Sequence, residues 1–202
     1  MDGYMFYWIF WLFWVYLTFI VNKQNPYRFK LSALILVTII VSNSYLTIGQ
    51  NKVFIGGIFL LVFAYWEISK QKLSAIIYLS ICSLILSISY ITFQLFEIFD
   101  PIWILFKREW MLAIIIGYLS MLLQKTLKRR LLMVVCGMMQ GEIFYAYIVN
   151  RLEFPYEIGS FDYLNVLSLT ALLLSGWNLL EHSGSVLQQL FHLQEKAKQK
   201  SS

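Results

Sequence analysis

The chain has 202 residues, of which 59% are apolar and only 13% are charged, and its formal net charge is +5. Soluble domains are about 45–50% apolar and about 25% charged, so this composition argues against soluble enzymes, nucleic-acid-binding modules and disordered chains. The mean hydropathy of +0.67 indicates a polytopic membrane protein instead. Cys82 and Cys136 both fall inside apolar segments without metal-site spacing, which favours a packing role for both thiols.

Seven apolar segments follow one another along the chain. A helix needs about 20 residues to cross a hydrocarbon core of about 30 Å. The segments are 4–21, 31–48, 53–66, 73–96, 110–123, 131–149 and 163–180. The third and fifth have 14 residues each and span only if flanking Lys52, Glu67 and Lys125 reach the interface with their long side chains. The sequence therefore predicts an all-α, seven-helix transmembrane bundle over residues 1–182.

The basic residues divide unevenly between the two sides of this bundle. Loops after odd-numbered segments, together with the C-terminal tail, hold 12 of the 16 Lys and Arg residues, and the other side holds four. Omitting either 14-residue segment reduces the division to 10 against 6. Cytoplasmic loops are the basic ones, so the pattern predicts an outside N-terminus and a cytoplasmic C-terminus. The first segment lacks the basic start and small-residue cleavage site of a signal peptide, and we expect a retained helix.

Three connecting segments have features of their own. The outer loop 97–109 contains Asp100-Pro101, a favourable helix start, and predicts a short interfacial helix over 102–106. The second outer loop, 150–162, is acidic. The acidic residues of these two loops either attract a cation or a basic peptide, or simply accumulate on the side from which Lys and Arg are excluded. We prefer the second interpretation. The tail, 183–202, has apolar residues at helical spacing followed by Lys196, Lys198 and Lys200. This pattern is typical of an amphipathic helix that lies on anionic lipid, as we prefer, or docks to a partner protein.

One ionisable residue, Glu142, lies deep inside an apolar segment. A charge at that depth costs at least about 2.5–3.5 kcal/mol, so such residues usually face the bundle interior or a water-filled cavity. Gln140 is close in sequence, Gln94 lies in the fourth segment, and Gly137 and Gly141 form a GxxxG pattern that lets another helix approach closely. Glu142 is either a proton or cation site with these amides as polar neighbours, or a protonated hydrogen-bonding contact between helices. We favour the structural interpretation, because no Arg, Lys or His lies within a membrane segment to pair with it.

Sequence motifs supply no positive case for catalysis. There is no HExxH, P-loop, GxSxG or dinucleotide-binding fingerprint, and His182 and His192 are not spaced as metal ligands. We therefore expect no enzymatic activity, no cofactor and no bound metal. The expected partners are the lipid bilayer and another membrane protein or a second copy of the chain, with no nucleic acid.

The opening motif YMFYWI (residues 4–9), the chain length and the packed apolar segments before a short basic tail resemble the YphA-like membrane proteins of spore-forming Bacillus relatives. The resemblance implies an integral membrane protein of the bacterial cell, with no assigned activity and no catalytic residues to transfer. The preferred hypothesis is a non-enzymatic plasma-membrane protein that acts through envelope or spore-related partners. The alternative is a small-molecule or ion transporter component with Glu142 in its path. A membrane sensor without its output domain is a third hypothesis.

Overall fold

The computed structural model describes residues 3–48, 51–100, 102, 106–152 and 154–200, with side chains up to residue 184. These residues form an all-α architecture of seven helices and three short strands. The helices are α1 (Tyr4–Val15, continued by a π-helix, Tyr16–Ile20), α2 (Pro26–Val41), α3 (Ile55–Ser69), α4 (Leu73–Phe99), α5 (Arg108–Leu123), α6 (Leu127–Asn150) and α7 (Phe161–Lys200).

Three of these helices are long and apolar enough to cross a membrane. They are α4, α6 and the Phe161–Gly184 part of α7. The stretches Tyr4–Ile20 and Ile55–Ser69 are apolar but shorter, and α2 and α5 have 16 residues each. Membrane-length helices are thus present, while the count of seven spans and the orientation of the termini stay predictions.

A small sheet joins two of the interhelical connections. Strands β1 (Tyr45–Ile48) and β2 (Asn51–Phe54) are antiparallel, and β3 (Glu157–Ile158) lies parallel to β2. The expected helical segment 31–48 was wrong at its end, because α2 stops at Val41 and the last four residues are in β1. Segment 53–66 likewise starts with two strand residues. Tyr, Thr and Ile suit a strand, and a short apolar run does not distinguish the two structures.

The start of α2 is held by its own first residues and by the end of the preceding helix. The side chain of Asn25 accepts a hydrogen bond from the backbone N–H of Tyr27, and Pro26 occupies the first helical turn. Arg28 donates to the carbonyls of Leu17 and Thr18, which lie in the π-helix. These bonds satisfy carbonyl groups that the end of a helix leaves without internal donors.

Helix α6 occupies the centre of the bundle. It packs most extensively against α4, and also contacts α3, α5 and α7, while α1 and α5 pack on α7. Met133, Met138 and Met139 of α6 are fully buried, as are Leu86 of α4 and Leu112 of α5. The flexible thioethers fill the irregular space where several helices meet. The residues on the inward faces of α6 are therefore enclosed by the neighbouring helices.

Two sequence predictions fall largely outside the described residues. The proposed interfacial helix over 102–106 includes residues 103–105, which the structure does not describe. The tail is part of one continuous helix that reaches Lys200, but its side chains beyond residue 184 are also outside the description. The amphipathic face of the tail consequently stays a prediction.

Candidate functional site

Glu142 lies on the face of α6 that meets α4. Its side chain is 1% exposed, and Oε1 accepts a 2.5 Å hydrogen bond from the hydroxyl of Tyr90 on α4. Its second oxygen, Oε2, is buried and has no hydrogen-bond donor among the residues that the structure describes. Glu142 is therefore held in a close helix–helix contact, with one acceptor position left open.

Two glycines allow α6 to approach α4 this closely. A Cβ atom on Gly141 would lie 2.7 Å from Cδ1 of Tyr90, and one on Gly137 would lie 2.7 Å from Cβ of Leu86. Both distances are shorter than a normal carbon–carbon contact, so only glycine fits without a shift. Tyr90 packs on Gly141 and bonds to Glu142, and the carboxyl group consequently lies directly beside the GxxxG contact.

A second group of polar side chains lies at the end of α4 and the start of α5, which is the outer side of the bundle in the predicted orientation. Arg108 donates from Nε to Oε2 of Glu97 (2.6 Å) and from a terminal nitrogen to Oε1 of Gln94 (3.0 Å). The Tyr156 hydroxyl donates to the same Gln94 oxygen at 3.4 Å. Asp162 lies 3.9 Å from the guanidinium group. We call these five residues the Arg108 cluster.

The cluster fixes the charge state of its own members. Burial acts to lower the pKa of Arg108, but interactions with the neighbouring Tyr90 and Glu97 outweigh it and hold the pKa above its ordinary value. Burial, with the added field of Glu142, raises the pKa of Tyr156 above its usual value. The arginine is therefore charged and the tyrosine is neutral and able to donate. The field of Arg108 acts on Glu142 as well, so the two sites are electrostatically linked.

Gln140 does not belong to the environment of Glu142. Its amide nitrogen donates to the hydroxyl of Tyr65 on α3 (2.7 Å), and its oxygen accepts from Ser83 on α4 (3.4 Å). Two residues along a helix rotate a side chain by about 200°, so positions 140 and 142 point in nearly opposite directions. The expectation that Gln140 neighbours Glu142 was wrong for this reason. Gln94 is linked to Glu142 indirectly, because it bonds to Arg108 and Tyr156 and both of these residues also act on the Glu142 carboxyl group.

The negative charges of the outer loops are largely balanced by nearby basic side chains. Glu97 pairs with Arg108, and Glu157 forms a 2.8 Å ion pair with Lys52 across strands β3 and β2. Glu153 is outside the described residues. Within the described part of the chain, no group of three or more His, Cys, Asp or Glu side chains could hold a metal ion.

The opposite end of the bundle has an open groove of about 1060 Å³ between α2, α3, α4 and α6. Its charged residues, which define what we call the basic groove, are Lys30, Glu67, Lys70, Lys72, Lys128 and Arg129. Glu67 accepts hydrogen bonds from Lys70 (2.7 Å) and Lys128 (2.8 Å). The bonds from Lys128 and Lys70 hold the pKa of Glu67 below its ordinary 4.5.

Comparison with known proteins covers nearly the whole chain. The model of the YphA-like integral membrane protein family matches residues 2–200. The chain belongs to this YphA-like family. It is 29% identical over 195 residues to a Bacillus subtilis (strain 168) protein named "Uncharacterized protein YphA", covering 94% of each chain. No solved structure matches it. The integral membrane class predicted from composition is thereby confirmed for this YphA-like chain.

Sequence reasoning missed Tyr90, Arg108 and Tyr156 in this YphA-like protein. Tyr90 is one of many aromatic residues in an apolar segment, and Arg108 lies in a short charged run before α5. Arg108 was expected only as part of an interfacial connection. Since helix partners are chosen by tertiary packing, no local pattern identifies these three residues as companions of Glu142 and Gln94.

Proposed function

We propose that this YphA-like protein is a non-enzymatic, multi-pass plasma-membrane protein that acts by binding partners at the membrane or envelope. In this proposal all seven helices cross the bilayer, with the N-terminus outside and the C-terminus in the cytoplasm. The observation that carries it is the basic groove, which gathers five cationic side chains from three separate parts of the chain at one end of the bundle.

The helix directions agree with this arrangement. The groove is lined by residues from the first turns of α2, α4 and α6, so these three helices all begin at the same end. The small sheet joins the connection between α2 and α3 to that between α6 and α7 at the other end. Helices that alternate in direction with basic residues at one end fit a cytoplasmic location for that end.

Labelling of single cysteines tests the proposed topology. Lys52→Cys and Lys72→Cys are introduced separately after the buried Cys82 and Cys136 are replaced by alanine. In intact cells a membrane-impermeant maleimide should label position 52 and spare position 72, and both should react after permeabilisation. Labelling of position 72 in intact cells, or of both positions equally, would contradict the orientation.

The proposed envelope or spore-related role is tested genetically. A strain without the gene should show an envelope or sporulation defect, and the wild-type gene should restore it. Normal growth, envelope integrity and spore yield in the deletion strain would contradict this role and leave the topology unaffected.

A second candidate function, a transporter component, is favoured by one specific observation. The buried Oε2 of Glu142 has no donor among the described residues, although Tyr90 occupies Oε1. Arg108 acts electrostatically on this carboxyl group and lies 3.9 Å from Asp162, whose side chain is 70% exposed. Glu142→Gln that accumulates normally but fails to complement the deletion supports a transport site. Full complementation by the same variant supports a structural contact.

A further inference from the structure

An apolar cleft of about 220 Å³ lies between α3 and α4, with α6 as its floor. The two helices are joined by only three residues, yet each packs mainly against α6 rather than against the other. The cleft is lined by Ile68 of α3, Ile76 and Leu79 of α4, and Cys136 of α6. A narrow apolar slot between helices suits a hydrocarbon chain.

A polar bridge lines the inner end of the cleft. Gln140 of α6 bonds to Tyr65 on one side and to Ser83 on the other, and both of these residues line the cleft. Ile76 and Ser83 are seven residues apart on α4, which corresponds to about 10 Å along a helix. The slot therefore has a defined depth and accommodates only the first part of an acyl chain.

The open end of the cleft meets the basic groove. Ile68 and Ser69 line the cleft, while the neighbouring Glu67 and Lys70 line the groove. On α4 the two linings interleave, because Ala75 and Tyr78 line the groove while Ile76 and Leu79 line the cleft. An apolar slot that opens beside a cationic surface is complementary to the two parts of an anionic phospholipid, its acyl chain and its charged head group.

Three cations of the groove are available to an anion. Glu67 occupies Lys70 and Lys128, whereas Lys30, Lys72 and Arg129 are exposed and make no ion pair among the residues with described side chains. The first turns of α4 and α6 contain no acid, and neither helix has a side-chain cap. Both free helix N-termini add to the positive potential of the groove.

We propose that an anionic phospholipid binds here, with its phosphate group in the basic groove and the start of one acyl chain in the cleft between α3 and α4. The lipid source is favoured over free phosphate because the slot is apolar and adjoins the groove. Tyr27 and Trp66, 53% and 51% exposed, lie at the same end of the bundle, as aromatic residues at a membrane interface do. Assignment to the inner leaflet rests on the proposed topology.

Binding is measured on the full-length protein in detergent by native mass spectrometry and by the thermal unfolding midpoint. The probes are phosphatidylglycerol, phosphatidylcholine with the same acyl chains, and inorganic phosphate. Phosphatidylglycerol should bind and raise the midpoint, phosphatidylcholine should not, and phosphate should compete poorly. The double variant Lys72→Gln/Arg129→Gln should weaken phosphatidylglycerol binding roughly 25-fold, which is the effect expected when two cations near an anionic lipid are removed. Lys23→Gln/Lys125→Gln removes the same charge outside the groove and should keep the affinity.

The cleft is tested separately from the charge. Ile76→Trp fills the slot and should reduce lipid binding, whereas Ile77→Trp, at a position that is 53% exposed, should not. Equal binding of phosphatidylcholine, an equal loss in the control double variant, or full competition by phosphate would overturn the proposal, the last in favour of a free-anion site. These binding measurements are made in detergent and do not depend on how the protein is oriented in the membrane. A negative result would therefore contradict the lipid site and leave the topology tested by labelling unaffected.

Discussion

The hydroxyl of Tyr90 and Oε1 of Glu142 are 2.5 Å apart, and this hydrogen bond joins α4 to α6 in the interior of the bundle. Both residues are 1% exposed. A polar group removed from water is costly unless it is bonded, so the pair helps to select this packing of the two helices. The same tyrosine ring lies against Gly141, which links the bond to the close backbone approach.

Replacing Tyr90 by Phe should destabilise the protein by about 1–2 kcal/mol, because Oε1 of Glu142 loses its donor and neither carboxyl oxygen then has one among the described residues. Tyr163→Phe is the matched control. Its hydroxyl is buried without a hydrogen-bond partner among the described residues, and its removal should leave stability equal or higher. Thermal unfolding in detergent measures both. Equal losses in the two variants would show that the bond contributes nothing specific.

Gly137→Ala should destabilise the protein by about 1–3 kcal/mol, the usual range for overpacking. The added methyl group meets Cβ of Leu86 at 2.7 Å and the backbone oxygen of Ser83 at 2.8 Å, and neither can move without its helix. Gly176→Ala on α7 is the control, since no atom lies within 4 Å of its added Cβ. This control should be neutral or slightly stabilising. A normal unfolding midpoint for Gly137→Ala would contradict the close packing of α6 on α4.

Arg108→Gln should cost about 1.5–3 kcal/mol, because it removes the charged donor shared by Glu97 and Gln94. Arg108→Lys should recover only part of this loss, since one ammonium group cannot reproduce the planar set of donors. The neighbouring Lys107 is exposed, and Lys107→Gln should change stability little. Chemical denaturation in detergent compares the three variants. A full rescue by lysine would mean that charge alone matters at this position.

The ion pairs of Glu67 should make stability depend on pH. Since bonds from Lys128 and Lys70 lower its pKa in the folded protein below 4.5, the unfolded chain binds more protons in the interval between the two values. Stability from this residue is therefore complete above pH 4.5 and is lost as the pH falls through the folded pKa. Unfolding midpoints between pH 7 and the acid range should converge for wild type and Glu67→Gln as the pH falls. A constant difference between them would contradict the linkage.

The sequence by itself determined the membrane class and the approximate course of the helices. Backbone polar groups cannot be left unpaired in lipid, so long apolar segments such as those of α4 and α6 must become helices wherever they pack. The paired strands Tyr45–Ile48 and Asn51–Phe54 are an exception, because these stretches do not form a helix. Their apolar and β-branched residues suit either structure, and pairing with Glu157 and Ile158, about 100 residues later, favours the strand.

Only the tertiary structure decided which polar side chains meet. The sequence singled out Glu142 and the GxxxG glycines because their residue types are unusual inside an apolar segment. It could not indicate that Tyr90 would donate to this carboxyl group, or that Gln140 would instead bridge Tyr65 and Ser83. Partners across helices depend on the rotation and depth of each helix, and these follow from the shapes of all the packed side chains together. The physical reason is that hydropathy acts along one segment, whereas packing acts between segments distant in the chain.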